Sequence, residues 1–310
     1  MKRTALLSHT SPGVRFLWFI LMVILSSLTF GLLGLLLGKI WLHVDTATLS
    51  QLFSHPEEGQ ARPFLYVYQF INQIGVFVLP PLFFAWMVNK KSRDYLQLNH
   101  WPKLYNIVLG TILVYSLLPF INWLTDLNAQ VRLPETMAGV QQWMKAKEVQ
   151  ADTITQVFLS VKTMGGLGIN LLIMALIPAI GEELFFRGVI QRLLGEWTKN
   201  IHWGIFLTAI IFSAIHMQFF GFLPRFVLGL ILGYIFAVSG NLWLAMLVHF
   251  VNNASSVIIF YLNYNGFIAV KMENFGSVHN WFGIAASFFV SLWLLFLIAK
   301  KANSNFPKMS

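Results

Sequence analysis

Eight apolar runs, each near the length needed to cross the hydrocarbon layer of a bilayer, divide this sequence at about residues 16 to 37, 64 to 88, 104 to 126, 166 to 194, 203 to 217, 222 to 238, 242 to 263 and 281 to 299. A span takes roughly 20 such residues, and each must satisfy its backbone polar groups internally because the hydrocarbon offers no water. The runs at 203–217 and 222–238 are short, so they need tilt, burial against protein or a thinned bilayer. Of the 310 residues, 57% are hydrophobic and 11% charged, against roughly a quarter charged in a soluble domain. The sequence therefore predicts an all-α polytopic membrane bundle of about eight transmembrane helices. Residues 1–310 read as one integral membrane domain, with no soluble domain of useful size.

The first run follows Lys2, Arg3 and Arg15, as the n-region of a signal peptide would, but it is too long for an h-region and lacks a convincing cleavage site. A retained helix is expected. Lys90, Lys91, Arg93 and Lys103 lie between the second and third runs, and Lys300, Lys301 and Lys308 follow the last. An even number of spans with both termini cytoplasmic accommodates all these groups. The compact size and the lack of eukaryotic sorting signals point to a bacterial plasma membrane. The net charge of +9 reads as contact with membrane lipid, with no nucleic-acid partner expected. Between Arg132 and Lys162, Met137, Val140, Trp143 and Met144 recur at helical spacing, which predicts an amphipathic helix at the interface.

The chain has no cysteine, which excludes disulfides, thiolate metal ligands and a cysteine nucleophile together. Between residues 163 and 272 the only acidic residues are Glu182, Glu183 and Glu196, and the first two follow directly on the apolar run that ends at Ile180. A charge at that depth costs on the order of 3 kcal/mol, so it is expected to face protein or a water cavity, paired. Arg187, four residues after Glu183, shares its helix face and pairs with it. Glu182 points about 100° away and stays available as a base.

An isolated Glu-Glu-x-x-x-Arg is more often a solvated helix end than a site. Two further helices change the balance. His216 ends the fifth run, and His249 and Asn253 lie four apart on one face of the seventh. Two histidines, an unpaired glutamate and an asparagine on apolar helices are the inventory for activating a water. Gly229 and Gly233 form a small-x-x-x-small pair that lets neighbouring backbones approach, for which tight packing is the plain role.

The ordered set Glu182-Glu183-x-x-x-Arg187, Phe212-x-x-x-His216, Phe226-x-x-Gly229-x-x-x-Gly233 and His249-x-x-x-Asn253 resembles the motifs of the CPBP family of intramembrane peptidases, the CAAX-protease or Abi family, over about residues 166–255. That family includes eukaryotic CAAX prenyl endopeptidases and bacterial proteins linked to bacteriocin self-immunity. The resemblance implies a hydrolase in which Glu182 and His216 activate water, His249 and Asn253 stabilise the oxyanion, and Glu183 and Arg187 hold the site in shape. It implies a peptide or prenylated-protein substrate. Zinc would suit Glu182, His216 and His249 as ligands, but the His-Glu-x-x-His helix of soluble zinc peptidases is absent, and a metal-independent, glutamate-activated water is the favoured reading.

The competing reading is a non-catalytic membrane protein, a bacteriocin-immunity scaffold or a transporter, although no internal repeat supports the latter. A serine peptidase using Ser213, Ser255 or Ser256 lacks a Gly-x-Ser-x-Gly context. Arg192 and Lys199, after the glutamate helix, favour access from the cytoplasm.

Overall fold

The computed structural model describes residues 5–57, 61–269 and 275–301, so Lys2, Arg3 and Lys308 and the side chain of Lys301 lie outside the described residues. The chain runs through α1 (Pro12–Leu42), α2 (Thr46–Ser54), α3 (Ala61–Val88), α4 (Ser92–Leu96), α5 (Leu104–Ala129), α6 (Ala138–Leu159), α7 (Met164–Thr198), α8 (Ile201–Ala214), α9 (Phe222–Ser239), α10 (Leu242–Tyr264) and α11 (Trp281–Lys301). Seven of these are long and apolar enough to cross a membrane, and α8 is the short fifth run of the sequence. The protein is a polytopic helical membrane bundle. No strand occurs among the described residues.

Side-chain caps set several helix starts. Ser11 accepts from the Val14 N–H with Pro12 following, Thr163 caps Gly166 at 3.0 Å, and Asn241 caps Leu244 at 3.1 Å. Gly240, at φ 58°, ends α9 in the left-handed conformation that glycine adopts without strain.

Three wide π turns interrupt the long helices where the sequence predicted unbroken ones. Residues 73–78 precede Pro80 and Pro81, and residues 171–176 precede Pro178. A proline supplies no N–H to the carbonyl four residues back and its ring crowds that carbonyl, and a widened turn relieves both. The third, Phe186–Ile190, follows the glutamate pair directly.

The bundle has two distinct ends. At the first, the Leu7 N–H donates to Met87 at 2.9 Å, Arg15 pairs with Glu196 at 3.1 Å, and the Leu242 N–H donates to Gln97 at 3.2 Å. Helix α11 runs antiparallel to α5, with Ser116 and Ser291 hydroxyls 3.1 Å apart and Trp281 against Trp123, which returns Lys300 to the first end. At the opposite end lie α6 and the connections that follow α5, α8 and α10. A helix does form in this stretch, α6, with Met137 in the turn before it: Val140 and Trp143 are exposed, while Val157, Phe158 and Leu159 are buried.

Candidate functional site

Residues 181–190, in the middle of α7, are all buried. Glu183 and Arg187 are fully buried, which removes the solvated-helix-end reading, and Glu182 keeps 7% of its surface. Arg187 Nη1 lies 2.6 Å from Glu183 Oε1. That pairing was expected from the spacing. The second partner of the same oxygen was not: His249 Nδ1 stands 2.9 Å from Glu183 Oε1, and its Nε2 stands 3.9 Å from Glu182 Oε2. Glu182 is therefore not free of partners, and Glu183 orients a histidine as well as an arginine. A carboxylate can only accept or bind a cation here, so Nδ1 carries the proton in that contact.

The guanidinium of Arg187 has two further anchors. Nη2 donates to the Gly229 carbonyl at 2.9 Å, and the group lies 4.9 Å from the centre of the Phe212 ring. Gln191, one turn on, donates to the Gly233 carbonyl at 3.1 Å. Two donors four residues apart on α7 thus meet two carbonyls four residues apart on α9. Both acceptors leave little room for a side chain: a Cβ at Gly233 would stand 2.8 Å from Gln191 Oε1 and from Ile205 Cγ2, so something must shift, and one at Gly229 would stand 3.1 Å from the Ala209 Cβ, a tight contact. In lipid, such close backbone approach is a main source of helix association.

His216 is reached through Phe212. That ring is buried and lies 5.1 Å from the His216 ring, 5.1 Å from Phe186 and 6.0 Å from His249. Helix α8 ends at Ala214 rather than at 217, so His216 sits in the turn that follows. Its Nδ1 donates to the Phe212 carbonyl at 2.7 Å, which leaves Nε2 as the accepting nitrogen of the neutral ring. Burial lowers the His216 pKa below its ordinary value, opposed by the nearby Glu182 charge.

A polar clamp fixes this turn. Asn128 of α5 donates to the Phe219 carbonyl at 3.0 Å and accepts from the Leu223 N–H at 2.7 Å. From α6, Glu148 accepts from the Phe220 N–H and Asp152 from the Gln218 amide, each at 3.1 Å. Arg225 of α9 donates to the Gln218 carbonyl at 3.2 Å and to its side-chain oxygen.

Asn253 lies one turn beyond His249. Its Oδ1 accepts from Asn252 Nδ2 at 3.1 Å, which leaves its own amide hydrogens available as donors. The structure therefore joins Glu182, Glu183, Arg187 and His249 directly, and brings His216 in through Phe212. Among the described residues, no three histidine, cysteine or carboxylate groups form a set that could hold a metal ion. The Glu182, His216 and His249 set does not fit zinc as it stands.

Gln191, Asn128, Glu148, Asp152 and Arg225 were not singled out in the sequence. Gln191 carried a signal, since it follows Arg187 by the same four residues that separate Gly229 from Gly233. The clamp residues carried none, because their contacts span up to 95 positions.

Comparison with known proteins bears on the same stretch. Residues 165–255 match the family model described as type II CAAX prenyl endopeptidase Rce1-like. The uncharacterized protein YpbD of Bacillus subtilis (strain 168) is 29% identical over 89 residues, 27% of this chain and 42% of that protein. The chain thus spans less than half the length of this curated relative. No solved structure matches the chain. The segment that builds the buried polar centre, residues 165–255, is thus similar to the type II CAAX prenyl endopeptidase Rce1-like family over less than a third of the chain.

Proposed function

We propose that this protein is an intramembrane endopeptidase that hydrolyses a peptide bond with a water activated by Glu182 and His216. The observation that carries this reading is the pairing of Glu182 with His249 beside a second carboxylate, Glu183, whose charge Arg187 already offsets. One carboxylate is used for structure and its neighbour is left to take a proton. Water attacks the carbonyl carbon, its proton passes to Glu182 or to Nε2 of His216, and the same proton goes on to the leaving amine.

His249 and Asn253 are assigned to the oxyanion. Nδ1 of His249 donates to Glu183, so the ring can also donate from Nε2 only when both nitrogens are protonated. Asn253 supplies its amide hydrogens, and Glu183 with Arg187 holds the site in shape. The substrate is a peptide or the end of a membrane protein, with a CAAX-type prenylated peptide as one candidate. The bilayer assigned to the chain is a bacterial plasma membrane with both termini cytoplasmic.

The test is cleavage of a quenched peptide library, farnesylated CAAX peptides included, by purified wild type and Glu182→Gln, with and without a zinc chelator. Cleavage by wild type that the variant loses, unaffected by chelator, is expected. A well-folded wild type that cleaves nothing moves the reading to the non-catalytic immunity scaffold.

A further inference from the structure

The polar centre has different surroundings toward the two ends of the bundle. Toward the first end it is sealed by apolar packing. Residues 183–191 of α7 are buried, and facing them Leu242, Leu244, Ala245, Met246 and Val248 of α10 are buried as well. Leu96 and Leu242 close over Gly188, at 2.9 and 3.6 Å from where a Cβ would stand. No polar side chain of α10 lies between Leu242 and His249, apart from the Trp243 indole that donates outward to Leu98.

Toward the opposite end the packing relaxes. Val251, Asn252 and Asn253 are only partly buried, and Ile215 and Met217, on either side of His216, are exposed. Polar side chains stand on this side of the centre in two pairs: Asn252 donates to Asn253 on α10, and Gln218, two residues after His216, donates to Asp152 of α6.

The charges differ between the ends in the same sense. Lys90, Lys91, Arg93 and Lys103 fill the short connection between α3 and α5 at the first end, joined by Arg15, Lys199 and Lys300, with Asp94 and Glu196 as the described acids there. At the opposite end Lys39, Arg62, Arg132, Lys145, Lys147, Lys162 and Arg225 are interspersed with nearly as many acids: Asp45, Glu57, Asp126, Glu135, Glu148 and Asp152. Short connections rich in lysine and arginine stay in the cytoplasm, each such residue worth about 1 kcal/mol near an anionic leaflet.

We infer that the site opens away from the cytoplasm, under α6, and takes a polypeptide segment presented at the outer face: an exported peptide or the extracytoplasmic end of a membrane protein. The direction of opening follows from packing and charge, whereas the word substrate rests on the peptidase reading above. The inference reverses the expectation drawn from Arg192 and Lys199. Those residues do follow the glutamates on α7, but they lie at the sealed end.

The chain has no cysteine, so a single introduced cysteine is the sole thiol to read. Lys145→Cys on α6 and Lys91→Cys at the first end both replace exposed residues, and Met217→Cys stands next to His216. Each full-length variant is expressed in bacterial spheroplasts and treated with a membrane-impermeant maleimide before and after permeabilisation. Lys145→Cys and Met217→Cys are expected to label as fully in intact spheroplasts as in permeabilised ones, and Lys91→Cys only in the latter. Labelling of Lys91→Cys without permeabilisation overturns the proposal, as does failure of either of the others to label from outside.

A quenched peptide added outside is then expected to be cleaved by spheroplasts with wild type and not by those with Glu182→Gln. Cleavage confined to inverted vesicles overturns the proposal. The expected labelling with no cleavage from either side upholds the direction of opening and counts against the peptidase reading alone.

Discussion

Nδ1 of His249 lies 2.9 Å from Glu183 Oε1, the oxygen that also holds Arg187 at 2.6 Å. One buried carboxylate oxygen therefore ties α10 to α7 and neutralises a cation that has no surface exposure. Glu183→Gln keeps the shape and removes the charge, leaving Arg187 buried without its counter-ion. Breaking one side of a buried pair costs about 3–5 kcal/mol, so thermal unfolding in detergent should show a large drop in Tm. A Tm equal to that of wild type would remove Glu183 from the structural role.

Glu182→Gln should behave in the opposite way. Glu182 contacts His249 at 3.9 Å, beyond hydrogen-bonding distance, and keeps some exposure, so the near-isosteric change has little to destabilise. We expect peptide cleavage to disappear while the unfolding transition stays close to wild type. Retained cleavage is the outcome that sinks the assigned base.

Asn253 and Glu182 should separate by degree. Loss of a single oxyanion donor typically costs about 10² to 10³ in kcat, so Asn253→Ala should leave slow but measurable turnover. Glu182→Ala should leave almost none. Equal, mild losses in both variants would contradict the roles given to them.

The glycines of α9 give a prediction about assembly. A methyl at Gly233 would collide with Gln191 and Ile205, both at 2.8 Å, and would push α9 off α7 and α8. Gly233→Ala should therefore lower stability by about 1–3 kcal/mol, the range for overpacking. Gly139, in the exposed first turn of α6, has no neighbour within 4 Å, and Gly139→Ala should be neutral or mildly stabilising. Matched unfolding curves for the pair decide this.

His216 carries the pH prediction. Its pKa is lowered by burial, so the ring is neutral at pH 7 with Nε2 free to accept. Protonation abolishes that lone pair, so kcat/KM should stay level from about pH 8 down to about 6.5 and fall only below the ordinary histidine value. An acid limb that begins above 6.5 would show that the group being titrated is not a buried His216.

Much of this was legible because membrane helices announce themselves locally. Run length gave the bundle, and four-residue spacings gave Glu183 with Arg187 and His249 with Asn253. What could not be read was every contact between helices. Nothing in the sequence says that Glu183 receives His249 from 66 positions away, or that Asn128 grips the turn beyond His216. The short fifth run also misled by three residues, since apolar character continues through Ile215 while the backbone turns at Met217, φ 54°.

The wide turn at residues 171–176 acts as an angular setting. A π turn accommodates one residue more than the α turn it replaces, and one residue is worth about 100° around a helix. If the same residues closed into a regular helix with none removed, the extra residue would have to be taken up as rotation. Glu182, Glu183 and Arg187 would then swing together by about that angle relative to the start of the helix. Every polar residue would survive, facing the wrong neighbours. The wide turn upstream of Pro178 is thus as much a component of the site as the carboxylates are.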